Sequence, residues 1–182
     1  MDEMPEKPEI PEEVKKRLEQ IKSKLDKFKA NALKEAKGDI LGLTLLPPIQ
    51  DPRFKDLFET QDIENKENIL ILVLANDNEK KDKLAFKNKL TKDLEKIAKD
   101  VDEKIKLEIL LVNELKEMCY DSRFEILQLI AMSAPLYDPM ELLAAIRISE
   151  IHKSMVLKKF EKYIVSYIAA GSLFRGDKKS ND

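Results

Sequence analysis

The residues with the clearest chemical potential lie late in the sequence. Gly171 and Ser172 follow an apolar segment there, and Asp182 follows a polar one. A glycine lets the backbone approach a phosphate closely, because it has no Cβ. The serine hydroxyl can hydrogen-bond that phosphate, and a carboxylate such as Asp182 is a suitable ligand for magnesium. The pattern therefore predicts a site that holds a phosphorylated ligand together with a metal ion.

A second carboxylate is expected two positions after Asp182, so that both side chains leave the same face of a strand. That position lies beyond the last residue of the sequence. The pattern is therefore only half present. The alternative interpretation of residues 163–182 is a polar C-terminal tail.

Gly171, Ser172 and Asp182 resemble the motif of the polymerase-β-like nucleotidyltransferase superfamily, in which an apolar segment ending in Gly-Ser precedes a spacer and a pair of carboxylates. The resemblance implies transfer of a nucleoside monophosphate from a nucleoside triphosphate, with Mg²⁺ as cofactor. Gly171 and Ser172 would bind the nucleotide, and Asp182 would be the catalytic metal ligand. One carboxylate cannot clamp two ions, so we expect this chain alone to be inactive and to need no cofactor. It would be the N-terminal part of a longer enzyme.

Composition limits the other classes of function. The chain has 182 residues, of which 43% are hydrophobic and 37% charged, and its net charge is −2. One cysteine, Cys119, and one histidine, His152, cannot form an internal disulfide or a zinc site. Apolar runs such as residues 69–75 are too short to span a membrane, and the acidic N-terminus lacks a signal-peptide core. We therefore expect a cytoplasmic protein without a membrane partner.

Apolar spacing predicts the main secondary structure. Helical spacing is found in residues 14–37 and again in residues 82–100. Continuous apolar runs predict strands at 40–46, 69–74 and 105–112. The run at 69–74 is apolar on both faces, which is typical of a central strand.

Capping residues predict three further helices. Asn113 is expected to cap a short one, and Ser122 to open a capping box with Glu125. Asp138 is expected to cap a long helix to about residue 163, with Pro139 in its first position. A short strand or turn is expected at Leu136 and Tyr137.

These elements predict an α/β (α+β) fold, a small mixed β-sheet flanked by helices and followed by a long C-terminal helix. The predicted organisation has four parts: an acidic lead-in (1–13), a nucleotidyltransferase-like domain (14–137), a connecting helix (138–162) and the start of a second domain (163–182).

The chain also begins the same unit twice. A basic and aromatic helix segment precedes an apolar segment with one glycine at 25–43, and the order recurs at 157–172. If this echo is a repeat, residues 14–137 resemble a complete nucleotidyltransferase domain that has lost its chemistry. Leu43 stands at the position of the motif serine, and Asn68 and Leu70 stand at the positions of its two carboxylates. Glu108 stands at the position of a third acid. The pattern resembles archaeal proteins in which a degenerate nucleotidyltransferase domain precedes an intact one, and it implies a non-catalytic scaffold or interaction domain.

The first predicted helix has features that could bind nucleic acid or a second copy of the chain. Residues 14–37 carry nine Lys or Arg against three acids, so contact with a nucleic-acid backbone is one hypothesis. The alternative is a solvated face, or one covered by the acidic lead-in. The apolar stripe over 14–32 also fits a short helical dimer. Exposed apolar residues in 163–182 could likewise pair with another copy.

Overall fold

A computed structural model describes residues 11–55, 57–58, 65 and 67–169, with the side chain of Lys55 excepted. Four strands form a mixed sheet in the order β3-β2-β1-β4. Strand β1 pairs antiparallel with both β2 and β4, whereas β2 and β3 are parallel. The strands are β1 (Ile40–Leu45), β2 (Ile69–Ala75), β3 (Ile105–Leu111) and β4 (Ala134–Tyr137). The three predicted strands and the short fourth one are confirmed.

Helices cover both faces of this sheet, as the predicted fold class requires. They are α1 (Glu12–Ala36), α2 (Pro52–Lys55), α3 (Lys83–Val101), α4 (Val112–Tyr120), α5 (Glu125–Met132) and α6 (Leu142–Phe160). A 3₁₀ turn, Glu161–Tyr163, prolongs the last helix. The mixed sheet, the flanking helices and the long C-terminal helix are confirmed. Helix α1 begins at Glu12, and residues 1–10 of the predicted lead-in (1–13) lie outside the described residues. No helix in the described part of the chain has the length and apolarity needed to cross a membrane.

Helices α1 and α3 pack on one face of the sheet. Phe28 of α1 and Leu94 of α3 are fully buried against alternate residues of the strands, among them Leu43 and Val73. Strand side chains alternate between the two faces, so the neighbours of these residues along each strand point the other way.

The opposite face is covered by α2, α4, α5 and α6. Leu72 of β2 and Ile126 of α5 are fully buried there. Helix α6 approaches β1 so closely that a Cβ on Gly42 would lie 2.9 Å from Leu143 Cδ1. Glycine at this position therefore lets the long helix rest on the sheet.

Buried polar bonds fasten β4 to β1 and to the neighbouring helices. The Thr44 hydroxyl donates to Ser133 Oγ at 2.5 Å, and the Ser133 hydroxyl donates to Ile130 O at 2.6 Å. The Arg147 guanidinium of α6 donates to the carbonyls of Ala131 and Ser133. These bonds satisfy carbonyls at the end of α5 that have no partner within that helix.

Three predicted caps are wrong. Ser122 has φ 61°, in the left-handed region, and α5 begins only at Glu125 with Phe124 as its N-cap residue. Asn113 lies inside α4 rather than at its start, because Glu114 accepts the Leu111 N–H at 3.0 Å and stabilises an earlier beginning.

Asp138 is the third case. Helix α6 begins at Leu142, after a turn that contains Pro139. The Asp138 carboxylate nevertheless accepts the Ala144 N–H at 2.9 Å, so it satisfies a first-turn donor from outside the helix.

Only the C-terminal part of the α1 apolar stripe enters the core. Leu25, Phe28 and Ala32 are buried, whereas Val14 and Leu18 are 45% and 53% exposed. The first turns of α1 therefore project beyond the body that they are anchored to.

We expect Phe28→Ala to lower the free energy of unfolding by about 3–5 kcal/mol, because it removes a ring from a filled interior. The matched change Leu18→Ala should stay within about 0.5 kcal/mol, because that side chain is half exposed. Urea unfolding followed by circular dichroism measures both. Equal losses for the two variants would contradict the packing described for α1.

Candidate functional site

The predicted site residues Gly171, Ser172 and Asp182 lie outside the described residues. The described chain ends at Ala169, just before them. The last described segment runs back beside α6, where the Tyr167 hydroxyl lies 3.0 Å from His152 Nδ1 and 3.4 Å from the Ser149 carbonyl oxygen. The site at Gly171, Ser172 and Asp182 therefore remains a prediction.

The positions carried over from the motif to residues 14–137 lie within the described part of the chain. Asn68 precedes β2 and Leu70 lies within it, and both line a small cleft at the end of the sheet. The cleft has a volume of about 180 Å³. It lies where β1 ends and β2 and β3 begin, and Leu46 N–H donates there to Leu70 O at 2.9 Å. Lys106 of β3, the partner of Leu70 in the parallel register, also lines it.

Leu43 does not join this cleft. Its side chain is buried with α1 and α3 on one face of the sheet, whereas Leu70 is buried on the opposite face. The structure therefore separates the position carried over for the serine from those carried over for the carboxylates. At the adjacent Gly42, the space that a Cβ would need is filled by the Leu143 side chain.

Glu108 is the one acid among the positions carried over. It lies on β3 opposite Leu72 in the parallel register and is half-buried. Two positions earlier, Lys106 projects from the same face of the strand. Its positive charge opposes the binding of a divalent cation, so the neighbourhood of Glu108 is not an acidic cluster.

The side chains of the cleft do not fit Mg²⁺. That ion requires several hard oxygen ligands in octahedral array, whereas Asn68 offers one neutral oxygen and Leu70 none. Across the described residues, no group of three or more His, Cys, Asp or Glu side chains is placed to hold a metal ion.

A second polar cluster lies at the opposite end of the sheet, after β2 and β3. Asp77 is fully buried and accepts hydrogen bonds from Asn113 N–H at 3.2 Å and from Asn113 Nδ2 at 2.9 Å. Lys83 Nζ lies 3.5 Å from the same carboxylate. Lys87 and Glu114 form a neighbouring pair at 3.0 Å.

This second cluster is explained by structure. The first N–H groups of α4 have no partner within their helix, and Asp77 satisfies one of them from another element. Burial by itself would raise the pKa of Asp77. The hydrogen bonds from Asn113 and the charge of Lys83 outweigh burial and lower this pKa below its ordinary value. The carboxylate therefore holds the starts of α3 and α4 together at the end of β2.

The basic residues of α1 are partly engaged by acids. Lys24 Nζ lies 2.5 Å from Asp102 Oδ2 at the end of α3, and Lys29 lies 3.2 Å from Asp26 on its own helix. Neighbouring acids reduce the field that a phosphate backbone would meet. The nucleic-acid hypothesis for residues 14–37 gains no support from this arrangement.

Cys119 has the environment expected of a core residue. It packs against the helices on the α5 face of the sheet. Burial, and then the negative charge of Glu150, raise the pKa of its thiol. Both effects disfavour the reactive thiolate.

Comparison of the chain with protein-family models, curated proteins and solved structures finds no match. The resemblance to nucleotidyltransferases therefore stays a prediction from the sequence. Sequence reasoning missed the role of Asp77, although Asn and Asp after two neighbouring strands were a signal for a polar cluster at one edge of a sheet. It also missed the burial of Glu150 in α6, because the neighbouring residues in the sequence do not indicate that this acid is buried.

Asp77→Asn should lower the free energy of unfolding by about 1–3 kcal/mol at pH 7, because it weakens buried hydrogen bonds to a charged acceptor. The folded pKa of Asp77 is lowered, so its contribution is complete above the ordinary Asp pKa of about 3.9 and is lost as pH falls through the folded value. The difference between wild type and variant should therefore shrink on acidification. Urea unfolding between pH 7 and pH 3 measures it. Asp100→Asn, at an exposed position, is the control, and a pH-independent difference for Asp77→Asn would contradict the assignment.

Proposed function

We propose that residues 14–137 form a non-catalytic, nucleotidyltransferase-like module that supports a catalytic element beginning at Gly171 in a longer protein. The activity of that longer protein would be Mg²⁺-dependent transfer of a nucleoside monophosphate from a nucleoside triphosphate. Gly171 and Ser172 would bind the triphosphate and Asp182 would ligate the metal. The alternative is a pseudo-enzyme scaffold or interaction domain that works without such an element.

The observation that carries the non-catalytic part of the proposal is the chemistry of the cleft at Asn68. An amide, a leucine and a lysine stand where a metal-dependent site would need carboxylates. Its volume of about 180 Å³ is also below the roughly 300–1,000 Å³ typical of ligand pockets. A nucleoside triphosphate would need a larger and differently charged site.

The supporting role is favoured by the path of the chain. Helix α6 is anchored to the sheet by Leu143 and Ile146, which are buried in the core. The segment that follows returns along α6 to place Tyr167 beside His152. Ala169, two residues before Gly171, therefore follows a segment that contacts α6 through Tyr167. A catalytic element that begins at Gly171 would therefore start close to α6.

Calorimetric titration of the 182-residue chain with ATP or GTP in the presence of Mg²⁺ tests the proposal. We expect no binding heat, because one carboxylate cannot hold the metal and the cleft lacks acids. Asp182→Asn is the matched control and should behave like the wild type. Tight Mg²⁺-dependent binding that Asp182→Asn abolishes would show that this chain already contains a working site and would contradict the proposal.

A second measurement addresses the longer protein. Its sequence after Asp182 should continue with one residue and then Asp or Glu, because paired carboxylates must alternate on one face of a strand. Sequencing the natural gene beyond this codon provides the result. A stop codon there would remove the catalytic element and leave only the scaffold.

A further inference from the structure

Strand β3 leaves one edge of the sheet without a neighbouring strand in the described part of the chain. It pairs with β2 on one side only, whereas the opposite edge of the sheet is formed by β4. Strand β4 has four residues and contains Pro135, whose nitrogen cannot donate a hydrogen bond. Strand β3 has seven residues and no proline. An edge strand of this kind offers its backbone groups to a further strand.

The outward backbone groups of this edge belong to the odd-numbered residues of β3. Ile69 N–H donates to Lys104 O at 2.7 Å, so the even-numbered residues that follow Lys104 bond towards β2. Leu107 and Ile109 therefore direct their N–H and C=O groups away from β2. Leu107 keeps 7% of its surface exposed although its side chain lies in the core, whereas Ile71 of the central strand is 0% exposed. The open edge accounts for this difference.

Both ends of the edge are already hydrogen-bonded within the chain. Ile105 N–H donates to Asp102 O at 3.0 Å, and Leu111 N–H donates to Glu114 Oε2 at 3.0 Å. The two outward N–H groups that lie between Ile105 and Leu111 are the donors that a further strand would meet. Any partner strand must therefore place its carbonyl groups opposite the middle of β3.

The charges of β3 select a second copy of the same strand as that partner. Lys106 and Glu108 are half-buried and lie on one face of the strand. Charged side chains on an edge normally oppose pairing with another strand. In an antiparallel pair centred on Leu107, however, Lys106 of each copy lies directly across from Glu108 of the other. Opposite charges placed across from each other stabilise a sheet.

We propose that the protein forms a symmetric dimer in which the β3 strands of two copies pair antiparallel about Leu107. The two four-stranded sheets then join into one. Leu107 N–H donates to Leu107 O of the other copy, and Ile109 N–H donates to Ile105 O of the other copy. Both outward donors are satisfied in each copy, and the same residues form both sides of the interface. The proposal is independent of any nucleotidyltransferase activity of a longer protein.

Charge also distinguishes this register from the next one. A pair centred on Glu108 would use the same two outward donors, with Leu107 across from Ile109 of the other copy. It would also place the two Glu108 carboxylates directly across from each other, where like charges destabilise a sheet. The choice depends on the signs of these charges and not on either side chain lacking contacts in its own copy.

Sedimentation velocity of the full 182-residue chain over a wide concentration range measures the association. We expect the wild type to shift from monomer to dimer as concentration rises. Lys106→Glu and Glu108→Lys each place like charges across the pair at both symmetric positions, so each should weaken association by about tenfold or more. Circular dichroism confirms that each variant is folded.

Lys34→Glu and Glu35→Lys are the matched control variants. Both positions are exposed in α1, which packs on α3, β1 and β4. These variants make the same charge reversals away from the open edge, so they should associate like the wild type. Loss of association in either control would overturn the proposal, because the contact would then lie elsewhere.

Mixing the two disrupted variants tests the register itself. In an equimolar mixture of Lys106→Glu with Glu108→Lys, every acid of one copy lies across from a lysine of the other. The mixture should therefore form a 1:1 dimer at concentrations at which neither variant associates alone. A wild type that stays monomeric at every concentration would overturn the proposal, as would single variants that associate like the wild type or a mixture that stays monomeric.

Hydrogen exchange locates the contact on the chain. The amides of Leu107 and Ile109 should exchange more slowly as the wild-type concentration rises, because pairing protects their N–H groups. In Lys106→Glu, the same amides should lose this dependence on concentration. Dimer formation that leaves both amides unprotected would place the interface away from β3 and would contradict the proposal.

Discussion

The burial of β2 on both faces is the constraint on which the rest of the structure depends. Ile71 and Val73 face α1 and α3, whereas Leu70, Leu72 and Leu74 face the layer that contains α4, α5 and α6. A strand with two apolar faces must be covered by a helical layer on each side. It must also have hydrogen-bonding neighbours at both edges, since unpaired buried backbone groups are destabilising. Strands β1 and β3 provide those neighbours, one antiparallel and one parallel.

Much of this architecture could be predicted from the sequence, because the signals are local. The apolar run at 69–74 predicts a central strand. The alternation of apolar and polar residues at the beginning of 105–112 predicts a strand that is partly exposed. The helical spacing of Leu25, Phe28 and Ala32 announces the buried face of α1. The exposure of Val14 and Leu18 could not be predicted, because it depends on where the sheet ends beneath the helix rather than on the helix itself.

The wrong caps at Asn113 and Asp138 both involve a first-turn N–H group that bonds to a carboxylate lying outside its helix. Asp77 satisfies an N–H of α4 that lies 36 residues away, and Asp138 satisfies the Ala144 N–H across a turn. Capping rules that consider only neighbouring residues therefore misplace the starts of α4 and α6. Two positions carried over from the motif are also separated in the fold, because the side chains of Leu43 and Leu70 are buried on opposite faces of the sheet.

The pairing of β1 with β4 has a consequence for synthesis on the ribosome. The bond from Thr44 to Ser133 joins residues separated by 89 positions, and β4 is the last of the four described strands to be translated. Until it emerges, one edge of β1 remains open beside a half-covered hydrophobic layer, and such an edge can pair with strands of other nascent chains. The edge is closed by a strand that contains Pro135, whose nitrogen cannot donate to a further neighbour. Late addition of a proline-bearing strand thus both completes this domain and ends the growth of its sheet at that edge.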